Sequence, residues 1–143
     1  MKLRIVLADD HALFREALRL VLESDPDVEV VAEADNGHRV LACIDETQAD
    51  IVCMDVNMPG LNGIETTRAL LQRQPGVKVI GLSADPDLFR VAEMCGAGAS
   101  GYIYKADAGT EFLTALRTVS QNRHFFSAAL GVNNIDDLKS LLI

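Results

Sequence analysis

The sequence lacks paired cysteines, a long hydrophobic run and an excess of basic residues. Its 3 cysteines, Cys43, Cys53 and Cys95, are odd in number and have no metal-ligand spacing, which indicates reduced thiols in the cytoplasm. The first apolar run, Ile5–Ala8, is too short for the core of a signal peptide or for a membrane span, so we expect no membrane association. The net charge of −8 argues against direct nucleic-acid binding by this segment.

Low-complexity segments and linkers rich in Pro, Gly or Ser are also missing. A chain of 143 residues, 49% apolar and 24% charged, is long enough for one domain and too short for two. What the sequence does contain is an alternation of short apolar runs, rich in Val and Ile, with segments whose apolar residues recur at helical spacing. The runs that we interpret as strands are Leu3–Ala8, Val28–Ala32, Ile51–Met54, Val77–Leu82 and Gly101–Tyr104.

This alternation predicts an α/β fold with a parallel sheet covered by helices on both faces. Right-handed crossovers leave few topologies, and at this size we favour a single flavodoxin-like, doubly wound five-stranded sheet, (βα)5, with strand order 2-1-3-4-5. We expect the domain to occupy residues 1–123 and a linker or tail to occupy residues 124–143.

Polar residues follow four of these strands. Asp9-Asp10 follow the first strand, Asp55 follows the third, Ser83 ends the fourth and Lys105 closes the fifth. The carboxyl ends of parallel strands share one edge of the sheet, so these groups should converge. Carboxylates suit Mg²⁺ and can attack phosphorus, while an ammonium and a hydroxyl can stabilise the oxygens of a transferring phosphoryl group.

Each residue also has an ordinary explanation when it is taken alone. Asp10 could cap a helix beginning at His11 or Ala12, and a lone lysine at a strand end is usually a solvated charge. The five residues together, each at the carboxyl end of its strand, favour a phosphoryl-transfer site.

The same positions resemble the receiver domain of two-component response regulators over roughly residues 3 to 121. The D-x-x-M-P-x-x-[DN]-G stretch is specific, and its spacing to the other elements makes chance agreement unlikely. The surroundings of the acidic pair and of Lys105 are most similar to the branch that carries a LuxR-type helix-turn-helix after the receiver. The matching segments are Asp9-Asp10, Asp55–Gly63, Ser83-Ala84 and Gly101–Lys105.

The resemblance implies a role for each site residue. Asp55 would accept a phosphoryl group from the phosphohistidine of a sensor histidine kinase, and Lys105 would pair with the phosphoryl oxygens. Asp10, Asp55 and the main-chain carbonyl of Asn57 would ligate Mg²⁺ directly, while Asp9 would act through water. The chain would then be a phospho-acceptor switch, not an enzyme in the usual sense, with weak self-phosphorylation and self-dephosphorylation.

The resemblance also implies how the switch works. Ser83 would reorient toward the phosphoryl group, and Tyr102 would turn inward as it does so. Asn57 and Asp85 would flank the path of the attacking water, so we expect dephosphorylation over minutes or faster. Ala106 departs from the proline that many receivers carry after the lysine, on a cis peptide.

The tail has no assigned role at this stage. Asn133-Asn134 followed by Ile135, Leu138 and Leu142 could form a short amphipathic helix, packed on the domain itself or docked on a second subunit or partner. Homodimer formation on phosphorylation is a further expectation. The chain is either a stand-alone receiver or part of a DNA-binding regulator that controls transcription through an effector domain not present here.

Three other classes of protein were weighed. An aspartyl phosphatase of the haloacid-dehalogenase type expects its nucleophile after the first strand in a D-x-D pattern, whereas Asp55 follows the third strand and Asn57 occupies the second Asp position. A nucleotide-binding domain would need a G-x-G-x-x-G motif or a P-loop after the first strand, and neither motif follows that strand here. A receiver that binds partners without phosphorylation is disfavoured because all five site residues are present.

Overall fold

Strands and helices alternate along the chain in this computed structural model, which describes residues 2–85, 87–132 and 134–142. The strands are β1 (Leu3–Ala8), β2 (Val28–Ala34), β3 (Ile51–Asp55), β4 (Lys78–Ser83), β5 (Gly101–Tyr104) and β6 (Phe125–Phe126). The α-helices are α1 (Ala12–Glu23), α2 (Gly37–Thr47), α3 (Gly63–Arg73), α4 (Leu88–Gly96), α5 (Ala108–Ser120) and α6 (Ile135–Lys139). Short 3₁₀ turns occupy Lys105–Asp107, Ala128–Leu130 and Ser140–Leu142.

The sheet is parallel throughout, with strand order β2-β1-β3-β4-β5-β6. Its first five strands have the predicted flavodoxin-like order, but the prediction of a five-stranded sheet is wrong by one strand. Phe125 pairs with Gly101 and Phe126 with Tyr102, which adds β6 to the edge of β5. A strand of two residues is too short to show the alternation by which strands are recognised in a sequence.

Successive residues of each central strand point to opposite faces of the sheet and enter two separate apolar clusters. In β3, Ile51 and Cys53 join the cluster under α1 and α5, whereas Val52 and Met54 join the cluster under α2, α3 and α4. All five residues of β3 are buried. Burial on both faces explains why this strand is uniformly apolar until Asp55, and it fixes Asp55 at the sheet edge.

Helix starts were harder to predict than helix positions. Asp85-Pro86 has the sequence pattern of a helix start, with Asp at the cap and Pro in the first turn. This prediction is wrong for α4, because Asp87 caps the helix by accepting a hydrogen bond from the Phe89 amide at 2.9 Å; Pro86 lies outside the described residues. Asp10 does not cap α1 either. The N-cap position of α1 is His11, whose side chain makes no capping hydrogen bond within the described chain.

The segment after α5 packs against the sheet and α4. Leu130 and Leu138 are buried in the same cluster as the inner faces of α2, α3 and α4, and α6 lies against α4. The Asn134 side chain caps α6 by accepting a hydrogen bond from the Asp137 amide at 3.1 Å; Asn133 is outside the described residues. Among the described parts of the chain, no helix is long and apolar enough to cross a membrane.

Candidate functional site

Three carboxylates and one ammonium meet at the carboxyl edge of the sheet. Asp55 ends β3, Asp9 and Asp10 follow the neighbouring β1, and Lys105 follows β5. The Lys105 Nζ lies 3.2 Å from Asp55 Oδ2 and 2.6 Å from Asp9 Oδ2. The contact with Asp9 is an ion pair without hydrogen-bond geometry. The sequence-based expectation that these strand ends converge agrees with this geometry.

The loop after β3 holds the Asp55 carboxylate in place. Asp55 Oδ1 accepts a hydrogen bond from the Asn57 amide at 3.0 Å, and the residue is only 2% exposed. Asn62 caps α3 by accepting from the Glu65 amide at 2.9 Å. A Cβ at Gly63 would lie 2.3 Å from the Asp55 carbonyl oxygen, so only glycine permits the start of α3 to approach β3 this closely. The Asn-Gly pair of the motif thus has a structural reason.

Burial raises the pKa of Asp55 from its ordinary 3.8 to about 6. The Asn57 amide lowers this pKa by donating to the carboxylate, the negative charge of Asp9 raises it, and the Lys105 ammonium lowers it. The raised pKa means that the contacts with Asn57 and Lys105 do not compensate the ionised Asp55 for its loss of solvent and for the negative charge of Asp9. Buried carboxylates with raised pKa values are common at functional sites, which makes Asp55 a candidate for the reactive residue.

His11 also belongs to this cluster, although sequence reasoning treated it only as a helix start. Its Nδ1 lies 3.1 Å from Asp9 Oδ1, 3.5 Å from Asp10 Oδ1 and 3.9 Å from Asp55 Oδ2. Lys105 Nζ is 3.3 Å from the same nitrogen. The only sequence signal was its position directly after the acidic pair.

Ser83 lies at the end of β4, next to β3, but its hydroxyl is engaged with its own loop. It donates to the Asp85 carbonyl at 2.9 Å, and its oxygen also lies 3.0 Å from the Asp85 amide nitrogen, which donates to it. Within the described residues Ser83 makes no hydrogen bond to Asp55. The structure therefore brings Ser83 to the correct edge of the sheet without a direct contact to the carboxylate.

Tyr102 is fully buried beneath this edge. Its ring packs against Gly81, where a Cβ would lie 2.8 Å from Tyr102 Cδ2. Burial raises the pKa of Tyr102 to about 12, while the nearby Ser83 hydroxyl and the positive charge of Arg90 act in the opposite direction. Its hydroxyl approaches Ser83 but, among the described residues, has no partner with hydrogen-bond geometry. The aromatic side chain is thus already turned inward.

Asn57 and Asp85, the residues expected beside the water path, are both exposed. An Arg90 side-chain nitrogen from α4 donates a hydrogen bond to Asn57 Oδ1, a contact between residues far apart in sequence. Nothing in the sequence pattern indicated it, because Arg90 falls on a polar position of an amphipathic helix. The described residues contain no cis peptide bond, so the Lys105–Ala106 bond is trans.

The acidic cluster fits a hard divalent cation. One ligand atom from each of Asp9, Asp10, His11 and Asp55 lies within 4.8 Å of all the others. Asp9 and Asp55 are buried, and the negative charge of Asp9 adds to the effect of burial in raising the pKa of Asp55. Carboxylate oxygens grouped in this way are ligands that Mg²⁺ prefers.

Comparison with known proteins agrees with this geometry. Residues 5–117 match the model of the response regulator receiver domain. The chain is 36% identical over 141 residues to the transcriptional regulatory protein DegU of Brevibacillus brevis, covering 99% of this chain and 60% of that protein. The chain thus spans about 60% of the length of the curated relatives it matches.

Two solved structures are similar over most of their length. A LuxR-family two-component response regulator from Aurantimonas sp. is 31% identical, with a TM-score of 0.89, 98% of this chain covered and 99% of that one. The receiver domain of the putative response regulator NarL from Mycobacterium tuberculosis is 32% identical, with a TM-score of 0.81, 85% of this chain covered and 98% of that one. The chain belongs to the response regulator receiver domain family, and its relatives are regulators of the LuxR and NarL type.

Proposed function

We propose that Asp55 accepts a phosphoryl group from the phosphohistidine of a sensor histidine kinase and that the modification switches a protein-binding surface. The observation that carries this proposal is the Asp55 carboxylate, buried at the carboxyl edge of the sheet with the Lys105 ammonium 3.2 Å away. The carboxylate oxygen would attack phosphorus to give an acyl phosphate, while the positive charge of Lys105 would stabilise the equatorial phosphoryl oxygens.

Asp55 suits this role better than its two acidic neighbours. Asp9 has similar contacts, with Oδ2 2.6 Å from Lys105 and Oδ1 accepting from the His11 amide at 2.8 Å, but it follows β1 and does not end β3. Asp10 is the exposed member of the group. Asp55 ends β3 at the start of the D-x-x-M-P-x-x-[DN]-G stretch, with the Lys105 ammonium at one carboxylate oxygen and the Asn57 amide at the other.

We propose that Mg²⁺ is held by the carboxylates of Asp10 and Asp55 and the main-chain carbonyl of Asn57, with Asp9 acting through water. The support is the cluster of oxygen ligands within 4.8 Å of one another. When bound, the cation would supply positive charge beside the transferring phosphoryl oxygens. The residues of the chain orient the acceptor: Asn57 donates its amide to Asp55, and Lys105 pairs with the other oxygen.

Ser83 and Tyr102 are the proposed switch residues. Phosphorylation turns one negative charge into nearly two and adds acceptor oxygens, to which the Ser83 hydroxyl could turn by leaving the Asp85 backbone. Inverting a two-state population from 1:99 to 99:1 takes roughly 5.5 kcal/mol, which a few charge-assisted hydrogen bonds of about 1.5–3 kcal/mol each can supply. Because Tyr102 is already buried, phosphorylation would move its side chain only slightly, within its present contacts with Gly81 and beside Ser83.

We further propose weak self-phosphorylation and self-dephosphorylation, with Asn57 and Asp85 flanking the attacking water. The support is their exposed position in the loops after β3 and β4.

The relatives named as transcriptional regulators suggest that the switched surface controls transcription through an effector domain, and dimer formation on phosphorylation would be one route. We place the domain at residues 1–123, with the tail from residue 124 adding β6 to its sheet and packing on α4, and we propose a cytoplasmic location on the basis of the free cysteines.

The test is incubation with Mg²⁺ and acetyl phosphate, followed by intact mass measurement. The unmodified chain should gain one phosphoryl group, Asp55→Ala should gain none, and Asp136→Asn, a change at an exposed residue of α6, should behave like the unmodified chain. Equal labelling of Asp55→Ala would refute the proposal. Turnover of generic phosphate esters would instead support the aspartyl-phosphatase alternative.

A further inference from the structure

Arg90 connects α4 to the loop that follows the candidate acceptor. Its guanidinium donates a hydrogen bond to Asn57 Oδ1, and its side chain is half-buried. Since arginine can only donate, the amide oxygen of Asn57, and not its nitrogen, must face Arg90. The Asn57 backbone amide meanwhile donates to Asp55. Asn57 is thus held at both its main chain and its side chain.

The surroundings of Arg90 place its charge near the switch residues as well. Its positive charge lowers the pKa of the Tyr102 hydroxyl, against the larger opposite effect of burial, so the guanidinium lies within electrostatic reach of that group. Arg90 also sits in the first turns of α4, immediately after the loop that carries Ser83 and Asp85. A side chain in this position can link the loop after β3 to the loop after β4.

We propose that Arg90 is a positioning residue that restrains the Asn57 side chain and thereby slows hydrolysis of the phosphoryl group on Asp55. This inference rests on the proposed function and deepens it. It concerns how long the modified state lasts, not whether it forms.

The hydrolysis is an attack of water on phosphorus. The water oxygen forms a new bond to phosphorus as the bond between phosphorus and the Asp55 oxygen breaks, giving inorganic phosphate and the free carboxylate, with the water hydrogens leaving on phosphate. A side-chain acceptor beside the water orients its hydrogens away from phosphorus and leaves its lone pair free to attack. Asn57 could provide such an acceptor through Oδ1, but the hydrogen bond from Arg90 uses one of the two lone pairs of that oxygen, weakens it as an acceptor and fixes its direction.

Releasing Asn57 should therefore accelerate loss of the phosphoryl group. Arg90→Met keeps most of the apolar stem and removes the donors, so α4 keeps its packing. We expect a roughly three- to tenfold faster loss, the change that a hydrogen bond of ordinary net strength corresponds to. The rate of labelling by acetyl phosphate should change less, because Asn57 meets Asp55 through its main chain.

The experiment is a double-mutant cycle on phosphorylated protein from which the donor has been removed. Decay is followed by intact mass for the chain with its original sequence, for Arg90→Met, for Asn57→Ala and for the double variant. Arg68→Met, a change at an exposed residue of α3, is the matched control. Arg90→Met should accelerate decay only where Asn57 is present, and the double variant should match Asn57→Ala within about twofold. Unchanged or slower decay in Arg90→Met would overturn the proposal, as would equal acceleration in the Asn57→Ala background, which would point to Tyr102 instead.

A second measurement does not depend on phosphorylation. In the non-phosphorylated Arg90→Met protein, the side-chain amide resonances of Asn57 should shift, and they should report a more mobile side chain. In non-phosphorylated Arg68→Met these resonances should stay unchanged. Unaltered Asn57 resonances in Arg90→Met would show that the restraint is absent and sink the proposal. Absence of any labelling at Asp55 would refute the proposed function alone, because the resonance measurement would still decide whether Arg90 restrains Asn57.

Discussion

Replacing Asp55 by Asn should stabilise the unliganded fold at neutral pH. The pKa of Asp55 is raised from 3.8 to about 6, so the folded chain binds its proton more tightly than the unfolded chain does. Each pKa unit corresponds to about 1.4 kcal/mol, which sets an upper limit of about 3 kcal/mol on the cost of ionising this carboxylate in the fold. The asparagine is neutral and similar in shape, and its oxygen can still accept from the Asn57 amide.

The gain should be smaller than this limit because Lys105 loses one of its two carboxylate partners. We therefore expect Asp55→Asn to raise the free energy of unfolding by about 1–2 kcal/mol above pH 7. The sign of the pH dependence follows from the raised pKa: the contribution of Asp55 to stability falls as pH rises from about 4 to about 6 and falls no further above that range. The difference between the two proteins should shrink as pH falls.

Urea unfolding followed by circular dichroism is the appropriate assay, since the sequence contains 0 tryptophan residues for fluorescence. Both proteins are unfolded with EDTA present at about pH 4 and about pH 7.5, and then at the higher pH with Mg²⁺. Added Mg²⁺ should stabilise the unmodified chain more than Asp55→Asn, because binding to the folded state alone raises stability. Equal stability near pH 7.5, or a difference that grows as pH falls, would refute the reasoning.

Two further substitutions test the packing around the site. Leu138→Ala should lower the free energy of unfolding by about 2 kcal/mol or more in urea titrations, because Leu138 is 2% exposed, whereas Leu141→Ala, at a residue 43% exposed, should have little effect. Gly81→Ala should cost about 1–3 kcal/mol and shift the Tyr102 ring resonances, since the new methyl would lie 2.8 Å from that ring. Gly76→Ala is its control, with open space at the Cβ position; a Gly81→Ala protein as stable as this control would show that Tyr102 is free to move.

The central strands and the acidic edge could be predicted because the physical constraints there are local. β3 is buried on both faces, so its sequence is continuously apolar until Asp55, and the change in polarity marks the end of the strand. Parallel pairing then brings the ends of β1, β3 and β5 to one edge, whatever the details of the loops. These constraints also account for the position of Lys105 beside Asp55.

The features that could not be predicted depend on contacts between distant side chains or on very short elements. β6 has two half-buried residues and is held by pairing with β5, so its own sequence carries no strand pattern. The contact of Arg90 with Asn57 depends on a rotamer and on the exact start of α4 at Leu88, neither of which has a signature in the sequence. Ser83 was placed on the correct edge, but the direction of its hydroxyl toward the Asp85 backbone is likewise a matter of local geometry.

The burial of Asp55 that reduces stability at this edge also favours a bound cation. Three carboxylates, on Asp9, Asp10 and Asp55, face the Lys105 ammonium and the exposed imidazole of His11 in the unliganded fold. A cation that binds here, or a hydrogen-bond donor that turns toward Asp55, therefore gains more free energy than it would at a site whose charges are already balanced. The roughly 5.5 kcal/mol needed to invert a two-state population from 1:99 to 99:1 would have to come from the new contacts of the phosphoryl oxygens. A neutral asparagine at position 55 makes none of these contacts, which is why it should stabilise the fold without driving the switch.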